Sequence, residues 1–458
     1  MKVSTILLTV LTLASVLAVL PAAHADNPII QTRYTADPAP VVIHGKVYLY
    51  TDHDENHATW FVMKDWRLYT SSDMVNWTDE GSPLSLKTFS WAEKDAWAPQ
   101  VIERNGLYYC YAPMTQKGVG MSIGVAVASR PQGPFHDALG HPLVHISPLD
   151  IDPTVFIDRD GQAYLYWGNS QLYYVKLNRD MISYDQKVGI VKVPLTVAGF
   201  GKGPRMMPGR TTYVEGPWFY RRGDLYYMVY AAGGIPEFIA YSTSPGPTGP
   251  WTYRGIIMPN HLPHLAFTNH PGVIDYKGHS YFFYHNQALP GGGGFDRSVC
   301  VEEFKYNPDG SFPTILPTSK GAPPIGHLNP FRRTRAATIA WESGIQTEEL
   351  PAAGVCVTNP QNGAYIKVEA VDFGGKGAHT LSVDVASDQA ASSLEVHIDS
   401  VDGPTVGMVK IPNTGGLDKW KVLSSAIHGA QGAHDLFFVF RGAPGSELFN
   451  FAWWKFGN

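Results

Sequence analysis

Cysteine is scarce in this chain. Its 458 residues hold three, Cys110, Cys300 and Cys356, which excludes a disulfide framework and a fully paired set. Cys110 and Cys300 fall inside strand-like runs, where a buried thiol is the simplest reading. Charge is sparse too. Only 16% of residues are Asp, Glu, Lys or Arg, and the net charge is −5. Nothing resembles the basic footprint of a nucleic-acid binder. Long apolar runs are missing beyond the first twenty-odd residues, so no membrane partner is expected of the mature chain. That first stretch has Lys2 as a thin positive end, Ile6 to Leu20 as an apolar core, and Ala23-His24-Ala25 as a small-residue cleavage site. It reads as a secretory signal, residues 1–25, cleaved before Asp26. The expected localisation is secreted or periplasmic.

Aromatics are abundant: 24 Tyr, 12 Trp and 21 Phe make up 12% of the chain. Strand propensity accounts for most of the tyrosines, and such rings also suit stacking on sugars. Many of them sit in a recurring hairpin. Tyr213-Val214-Glu215-Gly216-Pro217-Trp218-Phe219-Tyr220 is followed by a polar turn with Gly223 at its tip, then by Leu225-Tyr226-Tyr227-Met228-Val229-Tyr230. The same plan starts at Asp37-Pro38, Trp97-Ala98-Pro99, Asp152-Pro153 and His270-Pro271, with turn glycines at 45, 106, 161, 223 and 278. Alternating aromatic and β-branched runs around a Gly turn predict a β-hairpin, and five copies predict a five-bladed β-propeller. In that fold the innermost strand of each blade lines the axis. Asp37, Trp97, Asp152, Glu215 and His270 are then expected to meet at one mouth of the channel, three of them acids.

The longest interruption, Lys187 to Arg210, is rich in Gly, Pro and Met and reads as a loop on the site face. A Pro/Gly linker follows the fifth blade. Beyond it, strands at Tyr365–Phe373, His379–Val385, Leu394–Asp399, Gly407–Ile411 and Leu436–Phe440 recur with turns every eight to twelve residues, the signature of a β-sandwich. The expected fold class is all-β: a propeller domain over residues 26–316, a linker over 317–334 and a sandwich of jelly-roll type over 335–458.

The combination Ala36-Asp37-Pro38, Asp95-Ala96-Trp97-Ala98-Pro99, Ile151-Asp152-Pro153-Thr154-Val155-Phe156, Val214-Glu215-Gly216-Pro217, Asn269-His270-Pro271-Gly272 and the run Gly291 to Val299 resembles glycoside hydrolase family 43. The segments Tyr365-Ile366-Lys367-Val368, Val371-Asp372-Phe373-Gly374, Gly432 to Leu436 and Leu448 to Phe456 are similar to carbohydrate-binding module family 6. The first resemblance implies an inverting exo-glycosidase on plant cell-wall polysaccharide, foremost an α-L-arabinofuranosidase trimming arabinoxylan. β-Xylosidase is its nearest neighbour. An endo-arabinanase is disfavoured by the 187–210 insertion, and a non-catalytic carbohydrate-binding propeller by three intact acids. By the same resemblance Asp37 is the general base, Glu215 the general acid, and Asp152 the third carboxylate that orients Glu215 and raises its pKa. Trp97 and Phe238 contact sugar, Arg297 donates to sugar hydroxyls and to Asp152, and His270 is the candidate ligand of a structural calcium ion. No cofactor is implied for the chemistry.

The second resemblance departs from its pattern. Arg335 and Ala337 stand where calcium-binding glutamates are usual, and Val368 and Leu417 where sugar-stacking rings are usual, while Asn450 remains. The domain is expected to keep the fold and to serve mainly as a buttress.

Overall fold

The computed structural model describes residues 26–203 and 210–458. The signal segment expected over residues 1–25 lies outside them, as do residues 204–209 of the expected site-face loop. Within the described residues the protein is nearly all β. One short α-helix, Val197–Phe200, and one 3-10 turn, Leu86–Thr88, are the helical elements. No described helix is long and apolar enough to cross a membrane.

Each repeat forms an antiparallel blade. Blade one comprises Thr35–Ile43, Lys46–His53, Asp65–Ser71 and Trp77–Ser85. Blade two is built on Gln100–Arg104, Leu107–Gln116, Gly120–Ala128 and His136–Asp137, with Ala92–Lys94 on the inner end of its second strand. Blade three has Thr154–Ile157, Ala163–Trp167, Tyr173–Leu177 and Val191–Lys192; blade four has Tyr213–Arg222, Leu225–Ala232, Phe238–Ser244 and Thr252–Met258. Blade five has three strands, Gly272–Tyr276, His279–Asn286 and Ser298–Phe304. The N-terminal segment runs along the last of these: the Ile29 N–H donates to Val299 O at 2.9 Å, and Asn27 Oδ1 accepts from the Val301 N–H at 3.0 Å.

Local sequence explains the hairpins. At His44-Gly45, Asn105-Gly106 and Lys277-Gly278 both turn residues have positive φ, the type I′ geometry that matches strand twist and that glycine makes accessible. The tertiary core lies between blades, where rings from successive repeats interlock: Tyr50, Trp66, Trp218, Tyr227, Phe282 and Tyr284 belong to one buried cluster. Blade five closes onto blade one at Gly272, where a Cβ would meet Pro40 Cδ at 2.5 Å.

The C-terminal region folds as two facing antiparallel sheets. One is ordered Gln346–Leu350, Gly354–Thr358, Asn450–Gly457, Thr380–Ser387, Gly416–Ala426; the other Trp341–Ser343, Tyr365–Asp372, Ala433–Arg441, Ser392–Ile398, Thr405–Ile411. The two domains are joined by main chain as well as side chains. The strand Thr338–Ile339 pairs with Trp77 and Thr78 and so extends blade one. Asn76 both donates to Glu369 O and accepts from Glu369 N–H, and Thr347 Oγ1 donates to Asp79 Oδ2 at 2.8 Å. Arg335 binds Glu80 of blade one at 2.9 Å. Val368 is fully buried in the sandwich core, so its position offers nothing to a sugar. Asn450 is turned inward too, donating to Leu417 O at 2.9 Å.

Candidate active site

Five Xaa-Pro steps converge on the axis. Asp37-Pro38, Ala98-Pro99, Asp152-Pro153, Gly216-Pro217 and His270-Pro271 line one narrow cavity there. The register differs from the expected ring: Trp97 and Glu215 stand one residue before their blades' axial positions. For Glu215 the offset depends on Gly216. Its φ is +56, and a Cβ there would lie 2.8 Å from His270 Cδ2. The missing side chain makes room for the imidazole, and Glu215 reaches the mouth from beside it. Asp37 and Asp152 also have positive φ, 49 and 58, which Asp tolerates better than most residues. Each sits where the innermost strand begins.

His270 is the hub. Its Nδ1 is 3.3 Å from Asp37 Oδ1; its Nε2 is 3.7 Å from Glu215 Oε1 and 3.9 Å from Asp152 Oδ2. Burial works against its charge, yet the carboxylates Asp37, Asp152 and Glu215 outweigh burial and hold its pKa well above the ordinary value. The ring is an imidazolium surrounded by acids.

The acids then separate. Burial pushes the Asp37 carboxyl up, but the charges of His270 and Arg297 bring it well below the usual carboxylate range. His285 is neutral: burial and the nearby Arg297 charge lower its pKa to about 3. Its Nε2 pairs with Thr268 O at 2.7 Å while Nδ1 accepts the Asp37 N–H at 3.3 Å. For Asp152 burial dominates; His270 opposes it, the charges of Glu215 and Asp37 reinforce it, and the pKa rises to about 7. Burial also pushes Glu215 upward, but its hydrogen bond to His270, the His270 charge and a hydrogen bond from Glu237 leave it lowered. Between Asp152 and Glu215, a proton therefore favours Asp152. This reverses the expected polarity, in which Asp152 raises Glu215: the imidazolium favours Glu215, and the Glu215 charge raises Asp152. Asp152 still touches the Glu215 segment, because its Oδ2 accepts the Gly216 N–H at 3.0 Å.

Arg297 is almost fully buried. Its Nη1 lies 3.2 Å from Asp37 Oδ1, its Nε and Nη2 bind the two oxygens of Asp54 at 2.9 Å each, and Nη2 is 3.7 Å from Asp52 Oδ2. The expected contact with Asp152 is replaced by this pairing with Asp37. Trp97 is half-buried with its indole N–H on Phe61 O at 3.2 Å, and Phe61 lies under the Arg297 guanidinium. Phe61, Phe267 and Phe295 form an aromatic cluster with it. Phe238 is half-buried beside the cleft next to Glu215. Its ring fills the space over Gly233, which lines that cleft, and packs against an aromatic cluster that includes blade four. That cleft, about 850 Å³, is bordered by Asn169, Gln171, Lys192, Leu195, Arg210 and Ile235 among others.

Several site residues escaped the sequence reading: Asp52, Asp54, Asn169, Glu237 and His285. Asn169 donates to Glu215 Oε2. Glu237 is buried, its Oε2 accepts the Asn269 N–H at 2.9 Å, and burial with the Glu215 charge keeps it protonated. A signal for them existed. The second strand of every hairpin returns to the mouth from which the first departs, so the polar residues at the end of each second strand and just past it belong to the same site.

A family model for glycosyl hydrolases family 43 matches residues 25–312. The chain belongs to glycoside hydrolase family 43. It is a glycoside hydrolase of a family that inverts anomeric configuration. A second model, carbohydrate binding module family 6, matches residues 335–458. The family 43 relatives include an arabinoxylan arabinofuranohydrolase of Bacillus subtilis, 32% identical over 94% of this chain and 92% of its own length. A xylosidase/arabinosidase of Bacteroides ovatus is 30% identical over 62% of this chain and 95% of its own. Among solved family 43 structures, a Bacillus subtilis arabinoxylan arabinofuranohydrolase in complex with cellotetraose superposes with a TM-score of 0.81 at 30% identity, covering 95% of this chain and 99% of that one. A β-xylosidase/α-arabinofuranosidase from a compost metagenome, in complex with xylotriose and calcium-free, gives 0.57 at 28% identity over 65% of this chain and 98% of that one.

Proposed function

We propose that this family 43 enzyme is an exo-acting α-L-arabinofuranosidase that removes arabinose side chains from arabinoxylan. The observation that carries this reading is the match to arabinoxylan arabinofuranohydrolases across both domains, at 94% of the chain. Asp37 is the general base: its carboxylate is the one most firmly held ionised, by His270 and Arg297. Glu215 is the general acid, because it borders the cleft that can receive a leaving polysaccharide. Asp152 orients the Glu215 segment through the Gly216 amide and stores the proton that Glu215 transfers, both carboxyl groups facing His270 Nε2. The His270 ring stands between Asp37 and Glu215. That keeps the two apart, and an inverting pair needs about 6.5–9.5 Å between its carboxyl groups to admit a water.

A structural calcium ion fits the donor chemistry of the axis. Asp152, Glu215 and His270 bring ligand atoms within 4.8 Å of one another, and carboxylate oxygens suit a hard cation. Since an imidazolium offers no lone pair, an ion there would require His270 to lose its ring proton and would take over its place as the positive charge among the acids; no step passes through it. Export to the periplasm or medium belongs to the same proposal and rests on the signal-like residues 1–25.

The test is arabinose release from polymeric arabinoxylan, with a panel of nitrophenyl pentosides run in parallel. Predominant xylose release from a β-xyloside would favour the xylosidase reading, which the Bacteroides ovatus relative supports. NMR of fresh product must show the inverted anomer.

A further inference from the structure

Three aspartates surround one arginine beside the axis, and only Asp37 has a role so far. Asp52 and Asp54 are completely buried. Both lie at the end of the second strand of blade one, across from the start of the first. Asp54 is fully used: Arg297 N–H and Nε both donate to its Oδ2, and Nη2 donates to Oδ1. Asp52 is used on one side. Its Oδ1 accepts the Ala36 N–H at 3.0 Å, and its Oδ2 has no conventional donor, with Arg297 Nη2 at 3.7 Å. A buried carboxylate oxygen without a donor is costly. The Asp37 carboxylate, itself paired with Arg297, is a neighbour with which Asp52 can hydrogen-bond.

The backbone shows what Asp52 holds. Ala36 pairs with Asp52, and the register then slips before Ala39. Within that irregularity Asp37 takes a φ of 49. The bond to the Ala36 amide therefore anchors the peptide just before the residue that must adopt a strained conformation.

We propose that Asp52 is the positioning residue of the general base, pinning the Ala36 peptide with one oxygen and donating a hydrogen bond to the Asp37 carboxylate from the other. Two carboxylates cannot share that contact without a proton, and charge balance places it on Asp52. Asp54 already neutralises Arg297, and Asp37 pairs with both Arg297 and His270. The charged groups facing Asp52 are Asp37, Arg297 and Asp54; burial and the Asp37 charge hold its carboxyl well above the usual range. A neutral Asp52 carries the same hydrogen-bonding pattern as an asparagine, accepting through one oxygen and donating through the other group.

The proposal rests on Asp37 being the base, and the experiment separates the two claims. Asp52→Asn, Asp52→Leu, Asp54→Asn and Asp37→Asn are compared by kcat and KM on an aryl arabinoside and on arabinoxylan, with thermal melts. Asp52→Asn, which retains acceptor and donor, is expected to keep kcat within about threefold. Asp52→Leu is expected to lose about ten- to a hundredfold in kcat on both substrates with KM little changed, because water activation is needed whatever the leaving group. Asp54→Asn, which unpairs a buried guanidinium, is expected to lower both melting temperature and kcat. If Asp52→Asn is as impaired as Asp52→Leu, the proton assignment is overturned. If a folded Asp52→Leu keeps full kcat, or if Asp52→Leu does not fold while Asp52→Asn folds and is inactive, the positioning role is overturned. If Asp37→Asn stays active, the base assignment falls and this proposal with it.

Discussion

Gly216 offers the sharpest test of how the site is built. Replacing it with alanine adds one methyl group, and the structure sets two separate costs. The first is conformational: φ is +56, and an L-residue in that region costs about 1–2 kcal/mol. The second is steric. The new Cβ would sit 2.8 Å from His270 Cδ2 and 3.0 Å from Cγ, about 0.7 Å inside the normal carbon–carbon separation of ~3.5 Å. Overpacking of that kind costs about 1–3 kcal/mol unless the neighbour moves. The imidazole is held on one side by Asp37 and on the other by Glu215 and Asp152, so relief must lengthen those contacts. The expected total is about 2–5 kcal/mol, and a melting temperature lower by about 5–15 °C. Displacing the hub also separates the acids from their shared cation, and a misplacement of this order costs about a hundredfold in rate. Gly223→Ala is the control. Gly223 has a φ of +60, but nothing lies within 4 Å of its Cβ position. That variant should bear the conformational cost alone and keep full activity. The measurements are differential scanning calorimetry and kcat on an aryl arabinoside for both variants. Wild-type kcat in Gly216→Ala, or equal loss in the two variants, would refute the view that the missing methyl group seats His270.

Glu215→Gln should lose about 10²–10⁴ in kcat on arabinoxylan, whose leaving group is a poor alkoxide, and far less on an aryl arabinoside with an acidic phenol; Asp37→Asn should lose heavily on both. The opposite pattern would exchange the acid and base labels. The alkaline limb of kcat/KM should fall near pH 7, where Asp152 gives up its proton, since activity requires a transferable proton that is present below that pKa and lost as pH rises through it. Asp152→Asn should move the limb to lower pH, because the remaining acid, Glu215, is held low by His270; a limb that stays in place would show that Asp152 does not store the proton. The C-terminal domain, with Val368 in its core and Arg335 committed to Glu80, should bind xylan weakly or not at all in affinity electrophoresis. Strong retardation would reveal another sugar-binding surface.

The blades were legible in the sequence because their determinants are local. Strand propensity, alternation and a glycine at the second turn residue act over a dozen residues, and each hairpin carries its own copy. The recurrence of Xaa-Pro at the start of each repeat was enough to place Asp37, Asp152 and His270 on the axis. Glu215 and Trp97 were brought to the mouth by the same pattern, but the sequence could not show that each precedes its axial position by one residue. For Glu215 that depends on the Gly216 backbone yielding its side-chain space to His270, a contact between different blades. The charge pattern was beyond the sequence altogether. Arg297 meets Asp37 and Asp54 across 260 and 243 residues, and the approach occurs only when blade five closes onto blade one. Protonation followed from that closure. Burial raises every carboxyl in the ring, so ionisation is decided by which acids lie nearest the two buried cations. Distances of 3.2 Å and 3.3 Å place Asp37 against Arg297 and His270, while Asp152 stands 3.9 Å from His270. Asp37 faces two cations, whereas Asp152 faces one, at longer range, and two negative neighbours; that difference in the company each acid keeps separates a permanent carboxylate from a proton store, and only the folded ring sets it.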